Sequence, residues 1–257
     1  MSNLLTHLTH SRTAAALVAT LMSLVIWELL SRQVSPLFLP SPLSTFQAAI
    51  ELWQDGTLVH SIFASLARIS SGWGLGLIIG IPLGIMMGSS VIIGRFLEPF
   101  IDFLRFIPPI AFITLAIIWL GPGESSKVAL IFYATVFIVV VSMISGVQGV
   151  DTNRLRAAAT MGSSRIHTLL TVVVPSTVPT MVTGARLALG NSFLTVVSAE
   201  IVAAQEGVGA LIWTARNYGR TDWVFVGIIT LGILGLCYDR LLRWAADILL
   251  KRYNHTS

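Results

Sequence analysis

Four groups of residues in this 257-residue chain have a type and spacing that could do chemistry. Ionisable side chains stand inside long apolar runs: Arg68, Arg105, Arg186 and Glu200. Each costs roughly 2.5–3.5 kcal/mol at the centre of a bilayer helix, so each needs a partner or a task. Pro108 and Pro109 interrupt an apolar run just after Arg105. A helix broken at membrane depth frees carbonyls on one side and presents the positive start of a half-helix on the other, a place that suits an anion. Gly72, Gly76, Gly80, Gly84 and Gly88 recur at every fourth residue. The most polar internal stretch, 151–175, carries Arg154, Arg156 and Arg165 around Ala157, Ala158, Ala159 and Gly162, and ends at Pro175.

These groups ask for different work. Arg68 lies about 12 Å inside one end of its run, at 1.5 Å per helical residue, and Glu200 lies near the matching end of another, so a structural ion pair is expected. Arg105 and Arg186 fall nearer mid-depth. For them two uses stay open: drawing an anion along a path, or pairing with Asp102 or with the carbonyls freed by Pro108-Pro109. The glycine stripe reads as a packing face for a neighbouring helix. Gly72-Trp73-Gly74-Leu75-Gly76 is no nucleotide fingerprint, since no strand precedes it and no phosphate-loop lysine pattern occurs.

The elements that must position these residues are membrane helices. Apolar residues make up 54% of the chain and charged residues 11%, where a soluble domain has roughly 25% charged. Spans are expected near 13–30, 60–88 (with a kink at Pro82), 91–120 (broken at the prolines), 127–144, 178–203 and 223–242, giving an all-α integral membrane fold of about six helices in one domain. A proline-rich link, Ser35 to Pro42, precedes a short interfacial amphipathic helix near 43–53. Gly121-Pro122-Gly123-Glu124 makes a tight turn. Glu206 to Trp213 suits a short interfacial helix, with Trp213 and Arg216 available at its end.

Charge placement sets topology and excludes other classes. Arg12, Arg95, Arg154, Arg156, Arg165, Arg240, Arg243, Lys251 and Arg252 fall on one side, against Arg32, Lys127, Arg216 and Arg220 on the other. The positive-inside rule therefore puts both termini and 151–175 in the cytoplasm. A net charge of +4 without a long basic run gives no reason to expect nucleic acid. The lone Cys237 excludes an internal disulfide and reads as core packing. His7, His10, His60, His167 and His255 all fall outside the expected spans, so no metal site in the membrane is expected.

The loop then resembles a known family. Arg156-Ala157-Ala158-Ala159-Thr160-Met161-Gly162, followed after nine residues by Val172-Val173-Val174-Pro175, is similar to the EAA loop of ATP-binding-cassette (ABC) importer permeases, with Arg156 in place of the glutamate. Ser35 to Pro40, Ala64 to Ile69, Gly80 to Gly88, Ile118 to Lys127 and Ser198-Ala199-Glu200 resemble the taurine, sulfonate, nitrate and bicarbonate group of that family.

The resemblance implies a type I importer permease fold, bound by two ATPase subunits and paired with a second permease copy. A periplasmic binding protein would deliver a small anion to an inner-membrane path, with taurine or an alkyl sulfonate ahead of nitrate or bicarbonate. Arg156, Ala157, Ala158, Gly162, Arg165 and Pro175 would form the ATPase-docking segment. The chain itself would need no cofactor, ATP and Mg2+ being bound by the partners, and would be no enzyme. A passive anion channel, or a permease for another small organic solute, is the alternative.

Overall fold

A computed structural model describes residues 12–250, with side chains over 14–248. His7, His10, Lys251, Arg252 and His255 lie outside the described residues. Eleven α-helices and no strand occur among them. We label these α1 (Arg12–Ser31), α2 (Pro42–Gln54), α3 (Thr57–Ser89), α4 (Val91–Arg105), α5 (Ile113–Leu120), α6 (Glu124–Gln148), α7 (Thr152–Thr160), α8 (Arg165–Thr168), α9 (Val174–Ala203), α10 (Val208–Asn217) and α11 (Thr221–Leu250). Five stretches are long and apolar enough to cross a membrane: α1, α3, α6, α8 through α9, and α11. The pair α4 and Pro109–Leu120 makes a sixth if counted as one broken span.

The described residues divide into two compact units. The first draws on the residues up to Val59 and on Leu211–Ile229. In it, Trp27 of α1 donates its indole N–H to Pro40 O at 2.9 Å and stacks on Phe225. Helix α2 starts where Ser41 accepts from the Ser44 N–H with Pro42 at the first turn, a combination that satisfies one exposed donor and supplies a proline where no donor is needed. Its Ala48 and Leu52 are buried while Leu43, Phe46, Ile50 and Trp53 are exposed, so this amphipathic helix turns a continuous apolar face outward.

The second unit, His60–Ala210 with Thr230 onward, holds the ionisable and proline features. Its frame is α3 against α6. A Cβ added to Gly72, Gly80, Gly84 or Gly88 would come within 2.6, 3.0, 2.5 and 2.7 Å of the Cβ of Ile131, Val139, Met143 and Val147 respectively. Gly76 stands equally close to Thr135. The two series run in the same direction at the same four-residue step. The stripe is therefore a seam between parallel helices, and lipid cannot substitute for it, because only a bare backbone lets the partner approach so closely. Gly74, off the stripe, meets nothing.

Helix α9 packs on α6 in the opposite direction, with Gly146 against Thr180, Ser142 against Gly184, and Thr135 Oγ1 2.9 Å from Ser192 Oγ. Trp73 of α3 donates to Ala185 O at 2.9 Å. Ile69, Ile131, Leu189 and Val196 form a core among α3, α6 and α9.

Several elements differ from the sequence expectation. The broken third span bends by 88° between α4 and Pro109–Leu120, so the halves do not continue one axis. Pro108 is extended (φ −61°, ψ 138°) and Pro109 opens a short 3-10 turn, because neither proline has an N–H to continue the ladder. Helix α11 is longer than expected at both ends and reaches Leu250. Its Cys237 is exposed, and so not a core residue: in a chain surrounded by lipid, an apolar run does not imply burial within the protein. His60 lies within the first turns of α3, inside the membrane-crossing stretch.

Candidate translocation and coupling sites

Arg68, 5% exposed, is held by two carboxylates from different parts of the chain. Its Nη1 donates to Glu200 Oε1 at 2.7 Å, and its Nε and Nη2 donate to Glu124 at 2.6 and 2.8 Å. Glu200 is fully buried and accepts also from Ser65 Oγ at 2.7 Å and from the Gly209 N–H at 2.8 Å. Ser65 Oγ in turn accepts from the Val208 N–H at 2.9 Å, while Glu206 O accepts from Arg68 at 2.6 Å. Lys127, also buried, donates to Glu124 at 2.9 Å. Two buried cations thus meet two carboxylates, and every N–H drawn from 206–209 into this cluster is matched. A buried charge is tolerable only in such a satisfied state. The sequence reading named Arg68 and Glu200; Glu124, Lys127 and Ser65 were missed. Glu124 and Lys127 stood in the quoted Ile118 to Lys127 segment, and their three-residue spacing on a helix was the available signal.

The path candidates separate in space. Arg105, Pro108 and Pro109 line one cavity of about 450 Å3 together with Tyr133, Ser142 and Asn191. A smaller cleft of about 180 Å3 adjoins it, sharing Pro109 and Asn191. Arg105 Nε meets Asp102 at 2.9 Å and its guanidinium lies over the Phe106 ring. The break is braced by Tyr133, whose hydroxyl donates to Leu104 O at 2.5 Å. Arg186 takes no part in this cavity. It donates to Asp239 of α11 at 2.8 Å, and Asp239 also accepts from Arg243.

The 151–175 segment forms a helix–turn–helix. Asp151 caps α7 by accepting from the Asn153 N–H at 2.8 Å. The helix ends with Gly162 left-handed at φ +71°. Its N–H bonds Ala159 O at 3.0 Å and the next N–H, of Ser163, reaches back to Ala158 O at 3.1 Å, a glycine-dependent stop that satisfies two of the terminal carbonyls. Ser164 then caps α8. The sequence expected two short helices here, turning at Gly162, with the segment closing at Pro175 and the next span starting near 178. Instead α8 runs through a π-turn, Leu169–Val173, straight into α9, so the second short helix and the span are one continuous rod. Pro175 is accommodated because it falls in the first turn of α9. Val147, Val150 and Val173 pack with Leu155 and Leu169 beneath α7 and fasten it to the helix ends. Arg156, Ala157, Ala159, Met161, Arg165, Ile166 and Leu170 are exposed; Ala158 faces inward.

A multi-span helical bundle with a cleft at a broken helix and a small helical pair fused to one span is the build of a membrane transport subunit. Residues 80–250 match the family described as binding-protein-dependent transport system inner membrane component, and the chain belongs to it. A probable ABC transporter permease of Brucella melitensis is 41% identical over 227 residues, covering 88% of this chain and 92% of that one. The taurine transport system permease TauC of Escherichia coli is 36% identical over 241 residues, 91% of this chain and 88% of the relative. In fold the chain is similar to a chain of the MetNI methionine ABC transporter in inward-facing conformations, with a TM-score of 0.62 at 17% identity over 76% of this chain and 95% of that one. This is the type I importer permease fold expected from the sequence, in a multi-pass membrane chain.

Proposed function

We propose that two copies of this chain form the inner-membrane path of an ABC importer for a small anion, taurine or an alkyl sulfonate ahead of nitrate or bicarbonate. A periplasmic binding protein delivers the substrate, and two ATPase subunits, which carry the ATP and Mg2+, dock on 151–175. The termini and this segment face the cytoplasm, following the distribution of basic residues.

The observation that carries this reading is the form of α7 and α8. An alanine-faced helix ending in exposed Met161, with Ile166 and Leu170 exposed beyond its glycine stop, offers a low apolar knob to a groove, and Arg156 and Arg165 beside it meet acidic groups on the partner. Because α8 is fused to α9 through the π-turn, a push on the knob is transmitted along a rod that packs on α6 beside the cavity.

The test is co-purification. The chain expressed with the products of its neighbouring genes is expected to bring down an ATPase, and Arg165→Glu to release it. Recovery of the chain with no ATPase, together with anion flux in its absence, would establish a passive channel instead. Calorimetric ligand screening of the partner binding protein identifies the anion; a binding protein that takes no anion overturns the substrate reading.

A further inference from the structure

Arg186 of α9 and Arg240 and Arg243 of α11 gather where these two helices meet, and one carboxylate serves two of them. Asp239 accepts from Arg186 Nε at 2.8 Å and from Arg243 Nε at 2.8 Å. Arg240, the next residue along α11, is exposed and makes no ion pair among the described residues. Asp247, one turn beyond Arg243, pairs with none of the three. Each paired guanidinium also leaves its Nη1 without a bond, so donors and positive charge remain after Asp239 is satisfied. Because Arg186 already occupies Asp239, that carboxylate does not cancel the two arginines of α11.

The helices set the depth of this excess charge. At 1.5 Å per residue, Arg186 lies about 26 Å along α9 from the helix end at Ala203. A hydrocarbon core is roughly 30 Å thick, so Arg186 and its partner Asp239 stand near the far edge of that core, where the phosphates of one leaflet lie. Arg243 is one turn further towards the end of α11 at Leu250. Trp244 beside it is exposed, as suits an indole at the boundary between hydrocarbon and headgroups. On the same face of α11, exposed Ile233 and Leu236 precede Arg240 in steps of three or four residues. This lane runs from apolar to basic, in the order in which a lipid presents its acyl chain and then its phosphate.

We propose that this junction of α9 and α11 is a binding site for an anionic phospholipid of the phosphatidylglycerol type, in the leaflet on the side of α7 and α8. Arg240 and Arg243 hold the phosphate, which a guanidinium can grip with two parallel N–H groups; Ile233 and Leu236 lie against the acyl chain. A zwitterionic headgroup offers the same phosphate but adds an ammonium that the arginines repel, so a headgroup with net negative charge is selected. A free phosphate satisfies the donors and leaves the apolar lane unused. The leaflet is the cytoplasmic one in the orientation proposed above; the site itself does not depend on that orientation.

The full chain, with the subunits that co-purify with it, is offered equal amounts of phosphatidylglycerol and phosphatidylcholine with identical acyl chains, and the lipid retained is counted by native mass spectrometry. Phosphatidylglycerol is expected to be retained at least about tenfold over phosphatidylcholine, since one arginine near a charged headgroup sustains about a fivefold effect and two act here. Arg240→Gln combined with Arg243→Gln leaves the Arg186 to Asp239 pair in place and is expected to remove most of the preference, whereas Arg240→Lys with Arg243→Lys keeps the charge and should keep most of it. Arg95→Gln, which removes an exposed charge from α4, is expected to change nothing. Inorganic phosphate in large excess is expected not to displace the lipid. Equal retention of the two lipids by the unaltered chain overturns the site, and so does an undiminished preference in the glutamine pair. An equal loss in Arg95→Gln would reduce the effect to net charge, and displacement by phosphate would make this a site for a free anion; either result overturns the proposal. Thermal unfolding of the glutamine pair in phosphatidylcholine, expected to match that of the unaltered chain, separates a lost site from a lost fold. A failure here with an ATPase still co-purifying leaves the importer reading intact.

Discussion

Arg68 and Glu200 lie 132 positions apart in the chain and meet at 2.7 Å, with Glu200 fully buried and Arg68 nearly so. Glu124 closes the other edge of the guanidinium, and the Gly209 N–H closes the far oxygen of Glu200. The cluster ties α3, the start of α6, the end of α9 and the turn into α10 at a single point. Removing either partner strands a charge, which costs about 3–5 kcal/mol in comparable buried pairs. Arg68→Ala and Glu200→Ala should each lower the unfolding temperature in detergent by several degrees, and the double variant should lose far less than the sum. Additive losses in that cycle would show the pair to be uncoupled.

The seam between α3 and α6 predicts a position-specific response to one added methyl group. Gly84→Ala places a Cβ 2.5 Å from that of Met143 and 2.7 Å from Val140 O, a backbone atom that cannot turn aside. Overpacking of this kind costs about 1–3 kcal/mol. Gly74→Ala, in the same helix with open space around it, should be neutral or slightly stabilising through helix propensity. Thermal unfolding of the two variants side by side checks the contrast, and equal effects would remove the seam as the reason for the stripe.

Gly162 joins α7 to α8, and α8 runs on into the span of α9. At φ +71° any side chain is strained, although nothing would contact its Cβ, so Gly162→Val should cost about 1 kcal/mol or more and alter the turn between α7 and α8. The expected signature is a loss of ATPase co-purification much larger than the loss of thermal stability. Full ATPase recovery with Gly162→Val would mean that the turn geometry is not needed for docking.

At the start of α11, Arg220 donates to Glu51 of α2 at 2.8 Å, and Trp223 reaches the same carboxylate. The hydrogen bond from Arg220 holds the Glu51 carboxyl below its ordinary value; Asp222, with Glu51 after it, pushes the Arg220 guanidinium upward. A carboxylate lowered in the folded state contributes stability that is present above its unfolded value and is lost as pH falls through the folded one. Acidification below the ordinary carboxylate range should therefore loosen α2, read as faster amide exchange over Pro42–Gln54. Glu51→Gln should exchange at the fast rate at neutral pH and show no further acid step. The contact is partly exposed, so high salt should blunt the difference.

Much of this protein is legible from the chain alone, because the signals concerned are local. A 20-residue apolar run must be helical in a bilayer, since every backbone group has to be satisfied within the segment. Ser41, Asp151 and Ser164 mark helix starts, Gly162 marks a stop, and the spacing from Arg156 to Pro175 marks the segment that resembles the EAA loop. The every-fourth-residue glycines foretell a close seam. What they cannot foretell is its partner.

Tertiary structure decided the partners. Lipid tails are as apolar as a neighbouring helix, so hydropathy does not reveal which face of a span meets protein and which meets the bilayer. Cys237 was misplaced for that reason. The same ambiguity left Arg105 and Arg186 alike in sequence. Packing of α9 on α11 gives Arg186 a carboxylate, Asp239, while the 88° bend at Pro108-Pro109 turns Arg105 onto a cavity shared with Asn191. Composition and spacing fixed which spans form; the close fit of side chains across the seams, which depends on residues far apart in the chain, determined which buried charge is neutralised and which lines a cavity.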